Sequence, residues 1–178
     1  MSAHKIIFTG PVGSGKTTSI AAISDVEPFV TEQIATDDTR NRKEQTTVAM
    51  DYGMLKLDNN ERIHLYGTPG QERFNFMWDI LTDGGIGLIL LIDNKRANPL
   101  DDLSFFLNSF RDFIRNTAVV VGVTRMDIAS RPSLEDYHRV LRELNVNIPI
   151  FEVDAREKKD VIYLVQTLLY CLDPQIAA

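Results

Sequence analysis

Residues Gly10–Thr17 are the part of the sequence whose residue types and spacing point most directly to chemistry. They read Gly-Pro-Val-Gly-Ser-Gly-Lys-Thr and stand between an apolar run and a helical pattern. This order fits G-x-x-x-x-G-K-[ST], in which glycines let backbone N–H groups approach phosphate oxygens and a helix N-terminus adds its dipole. We predict a phosphate-binding loop whose nucleotide contacts are Gly10, Val12, Gly13, Ser14, Gly15, Lys16, Thr17 and Thr18, with the Thr17 hydroxyl also binding Mg²⁺.

A second glycine-containing segment, Tyr66–Phe74, follows the apolar run Arg62–Tyr66 and reads Tyr-Gly-Thr-Pro-Gly-Gln-Glu-Arg-Phe. It resembles the second switch of the Ras-like small GTPases, which carries aspartate, two further residues, glycine and glutamine. The resemblance implies that Gly70 meets the γ-phosphate and that Gln71 orients the attacking water as a catalytic residue. Gly67 stands in place of the Mg²⁺-holding aspartate. That departure is similar to the bacterial MglA-like GTPases, which pair with roadblock-type proteins.

The first switch is expected where the sequence Thr47–Tyr52 is similar to the family's threonine, three apolar positions, aspartate and aromatic residue. The resemblance implies that Thr47 binds Mg²⁺ and the γ-phosphate, with Thr46 as the alternative one position away. The bacterial group carries a catalytic arginine beside this threonine. Arg42 is the nearest candidate here, although the residues around it also fit a solvated loop. Val12 replaces a common glycine and indicates slow turnover.

Two short segments further along the chain are candidates for reading the base. Thr124-Arg125-Met126-Asp127 occupies the place of the family's asparagine, lysine, any residue, aspartate, and the Asp127 carboxylate can accept from two guanine donors that adenine lacks. Asp154-Ala155-Arg156 is similar to the family's serine-alanine-lysine element, so Ala155 and Arg156 are expected to contact the base. The alternative is that both are ordinary polar turns.

The elements that must position these residues alternate between nearly continuous apolar runs and amphipathic helical patterns. The runs are Lys5–Thr9, Arg62–Tyr66, Ile86–Asp93, Ala118–Thr124 and Ile148–Val153, and the helical patterns are Pro99–Ile114, Ser133–Leu144 and Lys158–Leu172. Such alternation favours a parallel sheet covered on both faces. We predict an α/β, three-layer P-loop NTPase fold, with a mostly parallel six-stranded sheet, as one Ras-like G domain over residues 1–178. Residues 47–57 are expected to be an edge strand, and residues 25–46 an irregular segment.

The amino-acid composition indicates the compartment and the class of partner of this protein. The 178 residues carry a net charge of −6, which disfavours nucleic acid, and the one cysteine, Cys171, suits a reducing compartment. That cysteine is expected in the core, on the apolar stripe of the last helix. No signal peptide, lipidation motif or membrane-spanning run is recognised. We expect a cytoplasmic protein that has no intrinsic membrane anchor and is located by protein partners.

The leading hypothesis is a switch that binds GTP and GDP with Mg²⁺ and hydrolyses GTP slowly, accelerated by a regulatory or effector protein, which the resemblance implies to be roadblock-type. The alternative is a nucleotide-dependent binding module with negligible hydrolysis, and a third reading is an ATPase or small-molecule kinase. The bulky stripe Phe74–Leu81, which includes Trp78, fits either the core or a partner surface.

Overall fold

The computed structural model describes residues 3–35, 46–57, 61–71 and 75–173. The strands are β1 (Ala3–Thr9), β2 (Phe29–Ala35), β3 (Thr46–Lys56), β4 (Arg62–Gly67), β5 (Gly87–Asp93), β6 (Ala118–Thr124) and β7 (Ile150–Glu152). The helices are α1 (Lys16–Ile23), α2 (Phe76–Thr82), α3 (Pro99–Ser109), α4 (Arg111–Asn116), α5 (Leu134–Glu143) and α6 (Lys158–Leu172).

The strands form a single sheet in the order β2-β3-β4-β1-β5-β6-β7. The pairs from β4 to β7 are parallel, whereas β3 is antiparallel to both β2 and β4. Parallel strands end at a common edge, where ligands of open α/β sheets bind. The α/β fold class is therefore confirmed, and the glycine-rich loop after β1 and the polar residues after β4, β5 and β6 meet at one edge.

Side chains of the central strands alternate between two apolar layers, because successive residues of a strand face opposite sides of the sheet. Ile6 and Phe8 pack with α1 and α6, while Ile7 lies in the layer formed with α2, α3 and α5. The strands β5 and β6 are buried along their whole length, which explains their continuous apolar sequences.

The sheet has seven strands rather than six. The added strand, β2, lies in a stretch expected to be irregular, and it makes β3 an inner strand instead of an edge. Residues 29–35 read Phe-Val-Thr-Glu-Gln-Ile-Ala, and the polar residues at their centre do not give an apolar strand pattern. Within the described ranges, β2 pairs with β3 alone.

Two predictions about helices are corrected. The pattern Pro99–Ile114 is divided into α3 and α4 at Phe110, whose buried ring packs against the core. Cys171 is exposed rather than buried, because the apolar stripe of α6 passes through Leu164 and Leu168. None of the helices in the described ranges is both long and apolar enough to cross a membrane.

Candidate nucleotide-binding site

The loop between β1 and α1 has a backbone that only glycine can follow at its two ends. Gly10 has φ 140°, and a Cβ there would lie 2.0 Å from the Leu91 carbonyl oxygen. Gly15 has φ 102° and would place a Cβ 2.8 Å from the Cβ of Ala155. The glycines therefore let the loop pass closely over β5 and reach the segment after β7, at the N-terminus of α1.

Lys16 lies buried at the first position of α1. Its Nζ donates hydrogen bonds of 2.8 Å to the carbonyl oxygens of both Gly10 and Pro11. An ammonium group has three N–H donors, so one remains for a phosphate. Burial lowers the pKa of Lys16 to about 8, while the negative charge of Asp51 opposes that effect and Arg96 adds to it. An anion brought to this lysine would stabilise its charged form.

Ser14 supplies an unsatisfied group in the same loop. Its Oγ is buried and has no hydrogen-bond partner within the ranges that the structure describes, a property shared there with Ser19. This hydroxyl lies on the side of the loop that faces β5, because a Cβ at Gly10 would fall 2.9 Å from it and 2.0 Å from the Leu91 carbonyl oxygen. The groups that fit a phosphate are therefore the remaining Lys16 donor and the backbone N–H groups at the start of α1.

The segment after β4 lies directly on the phosphate loop. A Cβ at Gly70 would fall 2.6 Å from the Val12 backbone nitrogen and 2.9 Å from Lys16 Nζ, so only glycine permits this approach. Gln71 follows immediately and is exposed, as is the Val12 side chain. The predicted catalytic glutamine is therefore next to the phosphate loop and open to solvent.

Trp78 of α2 is a core residue that also supports this segment. Its side chain is 3% exposed, its ring stacks on Phe110 at a centroid distance of 5.0 Å, and its Nε1 donates to the Pro69 carbonyl at 3.1 Å. Of the expected stripe, Leu81 is also buried, whereas Phe76 and Ile80 are 57% and 69% exposed. Phe74 lies outside the described residues. Trp78 is thus excluded as an exposed partner anchor.

Thr17 donates a 2.6 Å hydrogen bond from its Oγ1 to Oδ2 of Asp51 in β3. Hydroxyl and carboxylate oxygens are the ligands that Mg²⁺ prefers. No group of three or more histidine, cysteine, aspartate or glutamate side chains suited to a metal occurs in the described part of the chain. A divalent cation at Thr17 would therefore need phosphate oxygens as additional ligands. The hydroxyl of Thr17 and the carboxylate of Asp51 fit such an ion.

The first-switch candidates fall at the start of β3 or outside the described residues. Thr46 and Thr47 are strand residues whose backbones pair with Ala35 and Ile34 of β2. Thr47 precedes Asp51 by four residues, which is roughly 13 Å along an extended strand. Thr47 can join Thr17 at a common ion only if the start of β3 moves. Arg42 lies outside the described residues.

A pocket of about 300 Å³ opens beside the phosphate loop, where the polar ends of β6 and β7 meet the start of α1. It is lined by Ser14, Gly15, Thr18, Thr124, Arg125, Asp127, Ile128, Asp154, Ala155 and Arg156. The predicted base-reading residues of both segments thus lie together around one cavity. Asp127 is exposed there, so its carboxylate is accessible to a ligand.

Ion pairs hold the two arginines of the pocket. Arg125, which has φ 62°, donates to the buried Asp93 carboxylate at the end of β5. Arg156 donates to both carboxylate oxygens of Asp154, and its hydrogen bonds lower the pKa of that carboxyl to about 2. Asp93 was not singled out from the sequence, although an acidic residue at the end of an otherwise apolar strand is a visible signal.

Asn94 is a second residue that sequence reasoning missed. Its Nδ2 donates to the carbonyl oxygens of Ala129 and Pro132 at 2.5 and 3.0 Å, and its Oδ1 accepts from the buried Tyr137 hydroxyl at 2.6 Å. These bonds fasten the loop that carries Asp127 to the end of β5. The position of one wall of this pocket therefore depends on a side chain outside every motif.

Comparisons with known proteins support nucleotide binding at this site. The chain matches the family described as "Conserved hypothetical ATP binding protein" over residues 8–173. It is 29% identical over 98 residues to an uncharacterized protein of Methanocaldococcus jannaschii, an alignment that covers 55% of this chain and 56% of that protein. The chain thus spans about half the length of this archaeal relative.

The chain is similar to Ras-related proteins over longer alignments. It is 24% identical over 169 residues to the Ras-related protein Rab-5B of Plasmodium falciparum, covering 92% of this chain and 75% of that protein. It is also 24% identical over 179 residues to the Ras-related protein SEC4 of Saccharomyces cerevisiae, covering 98% and 77%. The chain belongs to the family of conserved hypothetical ATP-binding proteins, and it is distantly related to the Ras-related small GTPases.

Proposed function

We propose that this chain is one Ras-like domain over residues 1–178 that binds GTP and GDP with Mg²⁺ and hydrolyses GTP slowly as a molecular switch. The observation that carries the proposal is the accessible Asp127 carboxylate in a pocket adjoining the phosphate loop. A carboxylate accepts but does not donate when ionised. Guanine offers it the ring N–H and the exocyclic amine on one edge, whereas adenine offers no such pair.

Other pocket residues support a planar base beside Asp127. The arginine stem at position 125 can cover a ring face, and Arg guanidinium groups stack well on planar groups. The Ala155 methyl group lies against Gly15, so the segment after β7 is close to the phosphate loop. These contacts would hold the base, while Lys16 and the start of α1 would hold the phosphates.

Hydrolysis is proposed to depend on Gln71 and on an arginine, for which Arg42 is the candidate in this chain. Glutamine can orient a water for attack on the γ-phosphate, and an arginine stabilises the charge that develops there. Bound Mg²⁺ would supply further neutralisation of the β- and γ-phosphates. The exposed glutamine and the exposed Val12 side chain support slow turnover without a partner, because no residue in the described ranges forms a hydrogen bond with the glutamine side chain.

A protein partner is proposed to hold Gln71 in its catalytic position, and a roadblock-type protein is the candidate. The exposed apolar side chains of Phe76 and Ile80 in α2, next to the second switch, support a contact on this side. The cytoplasmic location expected from the sequence stays a prediction.

Adenine nucleotide binding is the second candidate, because the family description names ATP. The two candidates are separated by identifying the nucleotide that co-purifies with the protein and by following its hydrolysis with and without Mg²⁺. Bound GDP or GTP with slow, Mg²⁺-dependent release of phosphate supports the proposal. Bound ADP or ATP would show that the ligand is an adenine nucleotide and not GTP. A bound nucleotide that is never hydrolysed would show that the protein is a nucleotide-dependent binding module.

A further inference from the structure

Gly67 and Asp51 face each other across the antiparallel pair β3 and β4. A Cβ built on Gly67 would lie 2.9 Å from Oδ2 of Asp51 and 3.0 Å from its Cβ. The Asp51 side chain therefore occupies the space into which any side chain at position 67 would extend. Glycine at position 67 and aspartate at position 51 are sterically dependent on each other.

The same Asp51 oxygen accepts the 2.6 Å hydrogen bond from the Thr17 hydroxyl. A hydroxyl that donates its proton to a carboxylate keeps its oxygen lone pairs available for a metal ion. The carboxylate thus lies beside the one side chain of the phosphate loop that carries a hydroxyl suited to Mg²⁺. Asp51 also acts electrostatically on Lys16, which lies in the phosphate subsite.

Mg²⁺ in phosphate-transfer sites is held by one or two carboxylates together with substrate phosphates. The end of β4 has no carboxylate, because residue 67 is glycine. Asp93, at the end of β5, is committed to Arg125 and to the backbone N–H of Lys95. Among these carboxylates, Asp51 is the one in contact with Thr17.

We infer that Asp51 supplies, from strand β3, the acidic group of the Mg²⁺ site that Gly67 does not provide at the end of β4. This inference rests on the proposed function, since it assumes a nucleotide bound with Mg²⁺. The carboxylate has moved from one strand to its antiparallel neighbour, and glycine at position 67 makes room for it.

The location of Asp51 has a consequence for the first switch. Asp51 and Thr47 belong to the same strand, and Thr47 pairs with β2. Asp51 is the central residue of β3, so an ion held beside it would fix the middle of the strand, and the start of that strand could move while the metal stays in place. Metal binding and first-switch movement would then be separable in this chain.

The test measures the dissociation of fluorescently labelled GDP from the full chain, with Mg²⁺ and with excess EDTA. In the unmodified protein, EDTA should speed dissociation at least tenfold. Asp51→Asn keeps the side-chain shape and removes the charge, so dissociation in Mg²⁺ should rise at least tenfold while the rate in EDTA changes less than threefold. Asp112→Asn is the matched control, because Asp112 is exposed in α4, at the opposite edge of the sheet.

A second variant moves the carboxylate back to β4. Asp51→Gly combined with Gly67→Asp removes the atoms that a side chain at position 67 would meet, leaving Ile20 Cδ1 at 3.2 Å as the nearest neighbour to adjust. This double variant should recover an EDTA effect of at least fivefold, and it provides the test if Asp51→Asn fails to fold.

The outcomes separate the two proposals. An unmodified protein that binds no labelled GDP would overturn the proposed function and this inference with it. Tight GDP binding with no EDTA effect, an Asp51→Asn variant with an unchanged EDTA effect, or a folded double variant without any EDTA effect would overturn the inference alone.

Discussion

The Thr124 hydroxyl donates a 3.1 Å hydrogen bond to the carbonyl oxygen of Ser14, and it thereby joins the end of β6 to the phosphate loop. The same hydroxyl lies 3.3 Å from the Ile92 carbonyl oxygen. Both segments are buried at this point. The threonine at the end of β6 therefore ties the segment that carries Asp127 to the phosphate loop.

Replacing Thr124 by valine should weaken nucleotide binding without disrupting the fold. Valine keeps the branched shape but removes the donor and leaves the Ser14 carbonyl less satisfied, at a cost of about 1 kcal/mol, or roughly five-fold in affinity. Thr124→Ser retains the hydroxyl and is the control. Calorimetric titration that finds equal affinities for both variants and the unmodified protein would contradict a linking role for this bond.

Lys16 predicts a pH dependence with a defined sign. Its pKa of about 8 is below the ordinary value of 10.5, so the unfolded chain binds more protons between these two values. The free energy of unfolding of the nucleotide-free protein should therefore rise with pH in this window. Denaturant titrations should show a smaller rise in Lys16→Met. A nucleotide should bind with uptake of a proton near pH 8–9, because phosphate favours the charged lysine.

Calorimetry in buffers of different ionisation heats measures that proton uptake. A binding enthalpy independent of the buffer at this pH would contradict the link between Lys16 and phosphate.

Truncation of Trp78 should destabilise the fold far more than truncation of Ile80, although the two residues are only two positions apart in α2. Trp78→Ala removes a buried ring and its hydrogen bond to Pro69 and should lower the free energy of unfolding by ~3–5 kcal/mol. Ile80→Ala is the matched control on the exposed side and should change it by less than ~0.5 kcal/mol. Urea unfolding checks both. Similar effects of the two substitutions would argue against this orientation of α2.

Hydrolysis should depend on Gln71 and on Arg42. Single-turnover GTP hydrolysis should fall at least tenfold in both Gln71→Ala and Arg42→Ala, with GTP affinity nearly unchanged, because both groups are assigned to the transition state. Arg40→Ala is the comparison within the same segment of sequence. Loss in the glutamine variant alone would exclude Arg42 as the catalytic arginine and leave Gln71 in its role.

The parallel half of the fold and the phosphate loop could be predicted from sequence because their signals are local. Continuous apolar runs identify strands buried on both faces, and the spacing of Gly10, Gly15 and Lys16 reports a backbone that must approach a phosphate. The strand β2 was missed because it has polar residues at its centre and, in the described part of the chain, lies at the edge of the sheet beside β3. Its existence depends on contacts with β3 that no local pattern reveals.

The position of Asp51 was also beyond sequence reasoning. The first-switch pattern includes this aspartate, but its contact with Thr17 follows from the register of β3 on β4, in which Asp51 pairs with Gly67. The burial of Trp78 could not be predicted either, because the spacing of bulky residues along a short helix does not indicate which of its faces packs against the core. Its burial is decided by the rings of α3 and by Phe110.

The most direct test of guanine recognition is a competition between GTP and ATP for the unmodified protein and for Asp127→Asn, with Asp112→Asn as the control. The Asp127 carboxylate can accept from two guanine donors, so GTP should bind roughly 100-fold more tightly than ATP, and Asp127→Asn should weaken GTP by ~2–3 kcal/mol. An asparagine amide can donate as well as accept, so the same variant should gain affinity for xanthosine triphosphate, whose base carries a carbonyl in place of the amine. Equal affinity of the unmodified protein for GTP and ATP would contradict guanine recognition.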